Sequence, residues 1–198
     1  ALDAYRRAHQ LEPSTDTLLR LFRNLTSQDG GKPAVQLAEQ WMKAHPKDAR
    51  TQRALANKHA QSGNFALARA SYENLLKIAP NDGEALNNLA NVLLRLKEPS
   101  ALAIAEQAVA KSPSSASTLD TLGWVLFNQG GQSDRALQLL RDARLREPGN
   151  PEIRVHLATV LAQAGRRAEA REELEAALKF NGGFEGKTEA EKMLRMMN

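Results

Sequence analysis

Apolar residues return along this chain at spacings of three and four, and one stretch of that pattern recurs about every 34 residues. It reads Leu86-x2-Leu89-Ala90-x2-Leu93, then Leu119-x2-Leu122-Gly123-x2-Leu126, then Arg154-x2-Leu157-Ala158-x2-Leu161. Such spacing lines one face of a helix and leaves a small residue where a second helix must come close. A second row follows it: Ala1, Ala34, Ala68, Ala101, Ala136 and Ala170. Twelve residues after these stand Pro13, Pro46, Pro80, Pro113, Pro148 and Gly182. Proline donates no backbone hydrogen bond and disfavours helix in the residue before it, so it closes the second helix. The constant offset predicts one fixed length for that helix. Variation in the period then falls in the turn inside each hairpin, long at Gly130–Gly131–Gln132–Ser133 and short at Lys97–Glu98–Pro99. Tyr5, Tyr72, Leu140 and Leu174, four residues past their alanines, supply the facing side of the core.

The pattern predicts helices at 1–11, 15–28, 32–45, 49–62, 65–78, 83–96, 99–111, 116–129, 133–146, 151–164, 167–180 and 187–197. Asn81 with Glu84, and Thr188 with Glu191, have capping-box spacing. Asn150 before Pro151 is a cap followed by proline at the first helical position. The unit from Asp16 to about Asp48 departs most, with Arg23 where a small residue is expected and Thr26 where a large one is. Looser packing or a shifted helix is expected there. The chain opens on a second helix without its hairpin partner, which predicts a C-terminal piece of a longer array. Leu2 and Tyr5 would then be exposed and drive weak self-association. At the other end Ala190, Met193, Leu194 and Met197 form a stripe suited to a capping helix.

These rows resemble the tetratricopeptide repeat along nearly the whole chain. The resemblance implies an all-α fold, a right-handed α-α superhelix of antiparallel helix pairs with a C-terminal capping helix. Its divisions would be a truncated repeat at 1–13, hairpins at 14–47, 48–81, 82–114, 115–149 and 150–182, and a cap at 183–198, all in a single array. The segments Leu86–Ala90, Asp120–Leu126 and Glu152–Ala158 are similar to the last repeats of the repeat lipoproteins of bacterial PEP-CTERM/exosortase sorting systems. That likeness implies a periplasmic scaffold linked to exopolysaccharide production. Membrane attachment would come only through an anchor outside these residues, and a cytoplasmic location is the alternative.

Composition narrows the chemistry. Apolar residues make up 42%, charged residues 25% and aromatics 5%, a balance suited to helices packed through small side chains. With no cysteine, disulfides, thiolate metal sites and cysteine nucleophiles are excluded. The net charge of +4 lies entirely in residues 1–58, which fits a mildly acidic protein partner. No basic stripe marks a nucleic-acid surface, and nucleic acid is not expected as a partner.

In tetratricopeptide arrays the first helices line a concave groove, and the resemblance places Arg20, Asn24, Arg53, Asn57, Asn87, Asn88, Asn91, Asp120, Trp124, Phe127, Asn128, His156 and Thr159 there. Asn and Arg can hydrogen-bond an extended peptide's backbone or terminal carboxylate. Arg53, Asn57 and Asn88 match part of the carboxylate clamp of chaperone-binding repeats, but Ser117 and Thr121 stand where its remaining basic residues belong. Trp124 with Phe127 reads either as an interface anchor or as packing within the chain. Trp41 reads as core.

The stretch Asn181–Thr188 nearly spells a phosphate-binding loop, but it joins helix to helix and lacks the first glycine. His9, His45, His59 and His156 fall in different repeats without metal-ligand spacing. Glu169, Glu172, Glu173 and Glu175 read as a solvated helix face. No catalytic residue, metal or cofactor is expected. The function expected is a non-catalytic scaffold binding a peptide or partner protein; the alternative is the targeting arm of a larger enzyme, such as a glycosyltransferase or polysaccharide synthesis protein.

Overall fold

The computed structural model describes residues 2–130 and 132–197. Ala1 in the alanine row and Gly131 in the longest turn lie outside them. Among the described residues the chain is all-α, with no strand. The helices are α1 (Leu2–Leu11), α2 (Thr15–Leu25), α3 (Lys32–Ala44), α4 (Ala49–Gln61), α5 (Phe65–Ile78) and α6 (Gly83–Arg95), followed by α7 (Ala101–Lys111), α8 (Ala116–Gln129), α9 (Ser133–Arg146), α10 (Pro151–Gln163), α11 (Arg167–Leu178) and α12 (Lys187–Met196). Two compact units divide the chain between Glu98 and Pro99, inside the turn of the 82–114 repeat. In the first, each of α1 to α6 packs on the next, and α4 also meets α2 and α6. In the second, α7 to α12 do the same, and α8 also meets α10.

The prolines act as expected. His45, Ala79, Ser112 and Glu147, each just before a proline, leave the helical region with ψ between 62° and 77°. Each still donates its N–H to the carbonyl four residues back. Three residues further on, Asp48, Asp82, Ser115 and Asn150 become the N-caps of the next helices. The cap of α6 is therefore Asp82, which accepts from the Ala85 N–H at 3.0 Å, and not Asn81. Asn150 caps α10 through the N–H groups of Glu152 and Ile153. At α12 the cap is Gly186 with φ of 85°, so Thr188 and Glu191 form no capping box.

The second helices do not share one length. From α3 to α9 each runs ten residues past its alanine, but α7 has 11 residues in all where α5 and α9 have 14. Lys97 sits at φ 58° and Pro99 follows, so α7 begins only at Ala101.

Ala34, Ala68, Ala101, Ala136 and Ala170 are fully buried. Opposite them stand Ala56, Ala90, Gly123 and Ala158 on the first helices, the three alanines fully buried. A Cβ at Gly123 would lie 2.9 Å from Leu140 Cγ and 3.1 Å from the Ala136 carbonyl oxygen. In α2 the buried residues are Leu18, Leu21, Phe22 and Leu25, one position earlier than expected. The shift arises because only one step separates Pro13 from the cap Ser14, where the other turns use two. Phe22 then occupies the small-residue position, and α2 ends at Leu25. A turn containing Asp29, Gly30 and Gly31, all at positive φ, connects it to α3.

Leu2 and Tyr5 are not left open: both are half-buried against the cluster of Leu21, Phe22, Leu25, Ala34, Ala38 and Leu55. At the other end Ala190 is fully buried, and Met193, Leu194 and Met197 pack beside it on the α9–α11 core.

Candidate functional site

In the first unit the candidate residues project from α2, α4 and α6. Arg20 is exposed, with no acidic partner among the described residues. Asn24 turns its amide back to the Arg20 carbonyl at 2.8 Å. Arg53 is not an open cation, since its guanidinium pairs with Asp82 and, at 3.1 Å, with Glu84. Asn57 accepts the Tyr72 hydroxyl at 2.6 Å. Burial pushes that phenol up to about 12, with Glu84 adding to the shift and Asn88 and Arg53 opposing it. Tyr72, from α5, thus anchors the asparagines of two successive first helices. Asn87 is 7% exposed, so it belongs to the packed interior, and its Oδ1 is buried without a partner. Asn88 and Asn91 are half-buried.

In the second unit α8 and α10 bring four of the predicted residues into one group. His156 Nδ1 lies 2.9 Å and 3.0 Å from the two carboxylate oxygens of Asp120. The imidazole stacks on Trp124, with centroids 4.2 Å apart and planes 13° apart. Phe127 stacks on the same indole at 5.4 Å. Asn128 donates to the Trp124 carbonyl at 2.7 Å and is exposed. Thr159 donates to its own helix, to the Val155 carbonyl at 2.8 Å. Trp124 is therefore packed within the chain on its faces yet remains partly open to solvent.

Two profiles described as tetratricopeptide repeat match residues 53–116 and 127–184, together well over half of the chain. The chain is a tetratricopeptide-repeat protein. Similar solved structures include TTC0263 of Thermus thermophilus, at 22% identity over 92% of this chain and 100% of that one, with a TM-score of 0.75. MamA of Desulfovibrio magneticus is 19% identical over 83% of this chain and 93% of its own, with a TM-score of 0.69. YrrB, described as having an unusual peptide-binding site, is 20% identical over 97% of this chain and 100% of its own, with a TM-score of 0.66. At these identities the likeness is one of fold. No curated protein matches the chain in sequence.

Of Arg53, Asn57 and Asn88, the residues that match part of a carboxylate clamp, Arg53 is already paired with the chain's own acids, Asp82 and Glu84. Sequence reasoning missed both of these, and Tyr72, because each reaches its partner from a different helix. The aspartates at helix starts were the available signal, since a cap residue has a second oxygen to offer a neighbour.

Two residues assigned elsewhere prove to be junctions. Trp41 is half-buried, stacked on His45 at 3.8 Å and tilted against His9 at 5.5 Å, and is not core. Glu173 is not on a solvated face: it lies between Arg144 and Arg154 with 16% of its side chain exposed. Glu169 and Glu175 do pair at the surface, with Arg141 and Arg166 and with Arg171. Among the described residues no group of three or more His, Cys, Asp or Glu could hold a metal ion. No described helix is long and apolar enough to cross a membrane.

Proposed function

We propose that this tetratricopeptide-repeat protein is a non-catalytic scaffold that holds a peptide segment or partner protein on the first-helix faces of its units. The observation that carries this reading is the Trp124 group. A half-buried indole, stacked with both Phe127 and His156, is a preorganised anchor of the kind that dominates protein interfaces. Arg20 and the half-buried Asn88 and Asn91 offer polar contacts on the first unit. The similarity of Leu86–Ala90, Asp120–Leu126 and Glu152–Ala158 to the PEP-CTERM/exosortase repeat lipoproteins supports a setting in bacterial protein sorting or exopolysaccharide production. On that reading the protein works in the periplasm and is held at the membrane by an anchor outside these residues.

The test is affinity capture from an extract of the source cell, with wild type beside Asn91→Ala/Trp124→Ala, after circular dichroism shows equal helicity. A captured protein is then purified and titrated against both chains. A partner lost with the double variant supports the reading. Partners held equally by both chains would move binding off the first-helix faces.

A further inference from the structure

The contact between His156 and Asp120 fixes more than the position of a ring. A carboxylate only accepts hydrogen bonds, so with both Asp120 oxygens facing Nδ1 the hydrogen belongs to Nδ1. In the neutral imidazole, Nε2 is then a bare acceptor. Stacked on that ring at 4.2 Å is Trp124, whose Nε1–H can only donate. Among the described residues neither Nε2 of His156 nor Nε1 of Trp124 has a hydrogen-bond partner, and neither is sealed from solvent. One donor and one acceptor therefore stand in adjacent stacked planes, both unused. Phe127 on the indole and Asp120 on the imidazole hold the two rings in place before anything binds.

We propose that this stack is a subsite for one primary carboxamide, the side chain of an Asn or Gln in the bound segment. The carboxamide oxygen accepts from Trp124 Nε1–H, and its N–H donates to His156 Nε2. Among neutral side chains only a carboxamide carries that acceptor and donor on one edge. Asp120 is a positioning residue: it touches no ligand and acts by choosing the tautomer of His156. The ligand's origin in a partner chain rests on the scaffold reading; the chemistry of the subsite does not.

The probes are propionamide and N,N-dimethylpropionamide, which share a carbonyl while only the first has an N–H. Nitrogen-15 spectra of the imidazole report the tautomer, and the Trp124 indole N–H and His156 ring resonances report binding. In wild type the hydrogen is expected on Nδ1, with propionamide bound about fivefold more tightly than its dimethyl analogue, the worth of one added hydrogen bond. Asp120→Asn can donate its own amide to Nδ1, which moves the ring hydrogen to Nε2 and abolishes the preference. Trp124→Phe keeps the stack and removes the donor, so it weakens both probes, and it decides the matter if Asp120→Asn fails to fold. A wild-type hydrogen on Nε2, equal affinity for both probes, or an unchanged preference in folded Asp120→Asn would each overturn the proposal. Both readouts use the chain alone. Failure to capture a partner sinks the scaffold reading and leaves this result standing, and equal affinity of wild type for both probes does the reverse.

Discussion

Trp41 donates its indole N–H to the Asp48 carboxylate at 2.8 Å, tying the last turns of α3 to the first turn of α4. Thr15 and Thr51 donate to the same oxygen at 2.7 Å and 2.8 Å. The other oxygen caps α4 through the N–H groups of Arg50 and Thr51. One carboxylate thus joins α2, α3 and α4. Asp48→Ala removes the cap and leaves three side-chain donors unpaired, and is expected to lower unfolding stability by about 2–3 kcal/mol. Asp48→Asn should recover part of this. Urea unfolding followed by circular dichroism and Trp fluorescence checks both, and a loss within error for Asp48→Ala would show the junction to be incidental.

Acid should act on this unit in two stages. His59 is 5% exposed, and burial lowers its pKa below 6.5, with Glu39 opposing. A lowered histidine contributes stability that is complete above 6.5 and is lost as pH falls through its folded value. Burial raises the Asp48 pKa, but the hydrogen bonds from Thr15, Trp41 and Thr51 outweigh it, and the net shift is below 3.8. The stability Asp48 contributes is complete above 3.8 and is lost as pH falls through its folded value. Unfolding stability measured against pH should therefore decline first below 6.5 and again below 3.8. His9, which burial also lowers, shares the first decline, so His59→Gln should shrink that decline and leave the second.

The crossing of α8 and α9 sets two effects against each other at Gly123. Ala in place of Gly favours a helix interior by about 1 kcal/mol. The new methyl would press on Leu140 Cγ and on the Ala136 carbonyl, at 2.9 Å and 3.1 Å, and overpacking a tight core costs roughly 1–3 kcal/mol. Gly123→Ala is expected to lower the melting temperature despite its propensity. Gly149→Ala, where a Cβ meets nothing within 4 Å, is the control and should leave it nearly unchanged.

What the sequence made legible and what it hid divide along the same line. The alanine row and the prolines could be read because each acts through its own backbone: a methyl at a helix crossing, or a missing N–H at a helix end. Arg23 and Thr26, out of place in the repeat, signal a shifted helix in α2, but its size and direction follow only from the shorter link between Pro13 and the cap Ser14. Of the candidate residues, Trp124 and His156 are legible from their positions in the repeat. That Asp120 and His156 meet, 36 residues apart, depends on how successive first helices stack. Arg53 looked like an open cation because Asp82 and Glu84 lie 29 and 31 residues away. Pairings between repeats are set by helix rotation to within a few ångströms, and periodicity does not resolve that.

Glu173 shows the consequence most sharply. In a run of four glutamates it looks interchangeable with Glu169, Glu172 and Glu175. In the fold it lies between Arg144, at 3.3 Å, and Arg154, whose side chains are 30% and 18% exposed. Arg154 also donates to the Pro148 carbonyl at 2.8 Å, so the acid fixes the start of α10 as well as joining three helices. Removing one partner of a buried ion pair costs about 3–5 kcal/mol, and the remaining exposure here reduces that to roughly 2–3 kcal/mol. Glu173→Ala is expected to destabilise by that amount, while Glu175→Ala, at an exposed pair within α11, should change stability by less than about 0.5 kcal/mol. Leu86 and Leu119 hold the position of Arg154 in the two preceding repeats. Arg154→Leu in the Glu173→Ala background should therefore restore part of the loss, by removing a half-buried cation left without its acid. Urea unfolding of the four chains measures this directly. Equal effects at Glu173 and Glu175 would return the whole run to a solvated face.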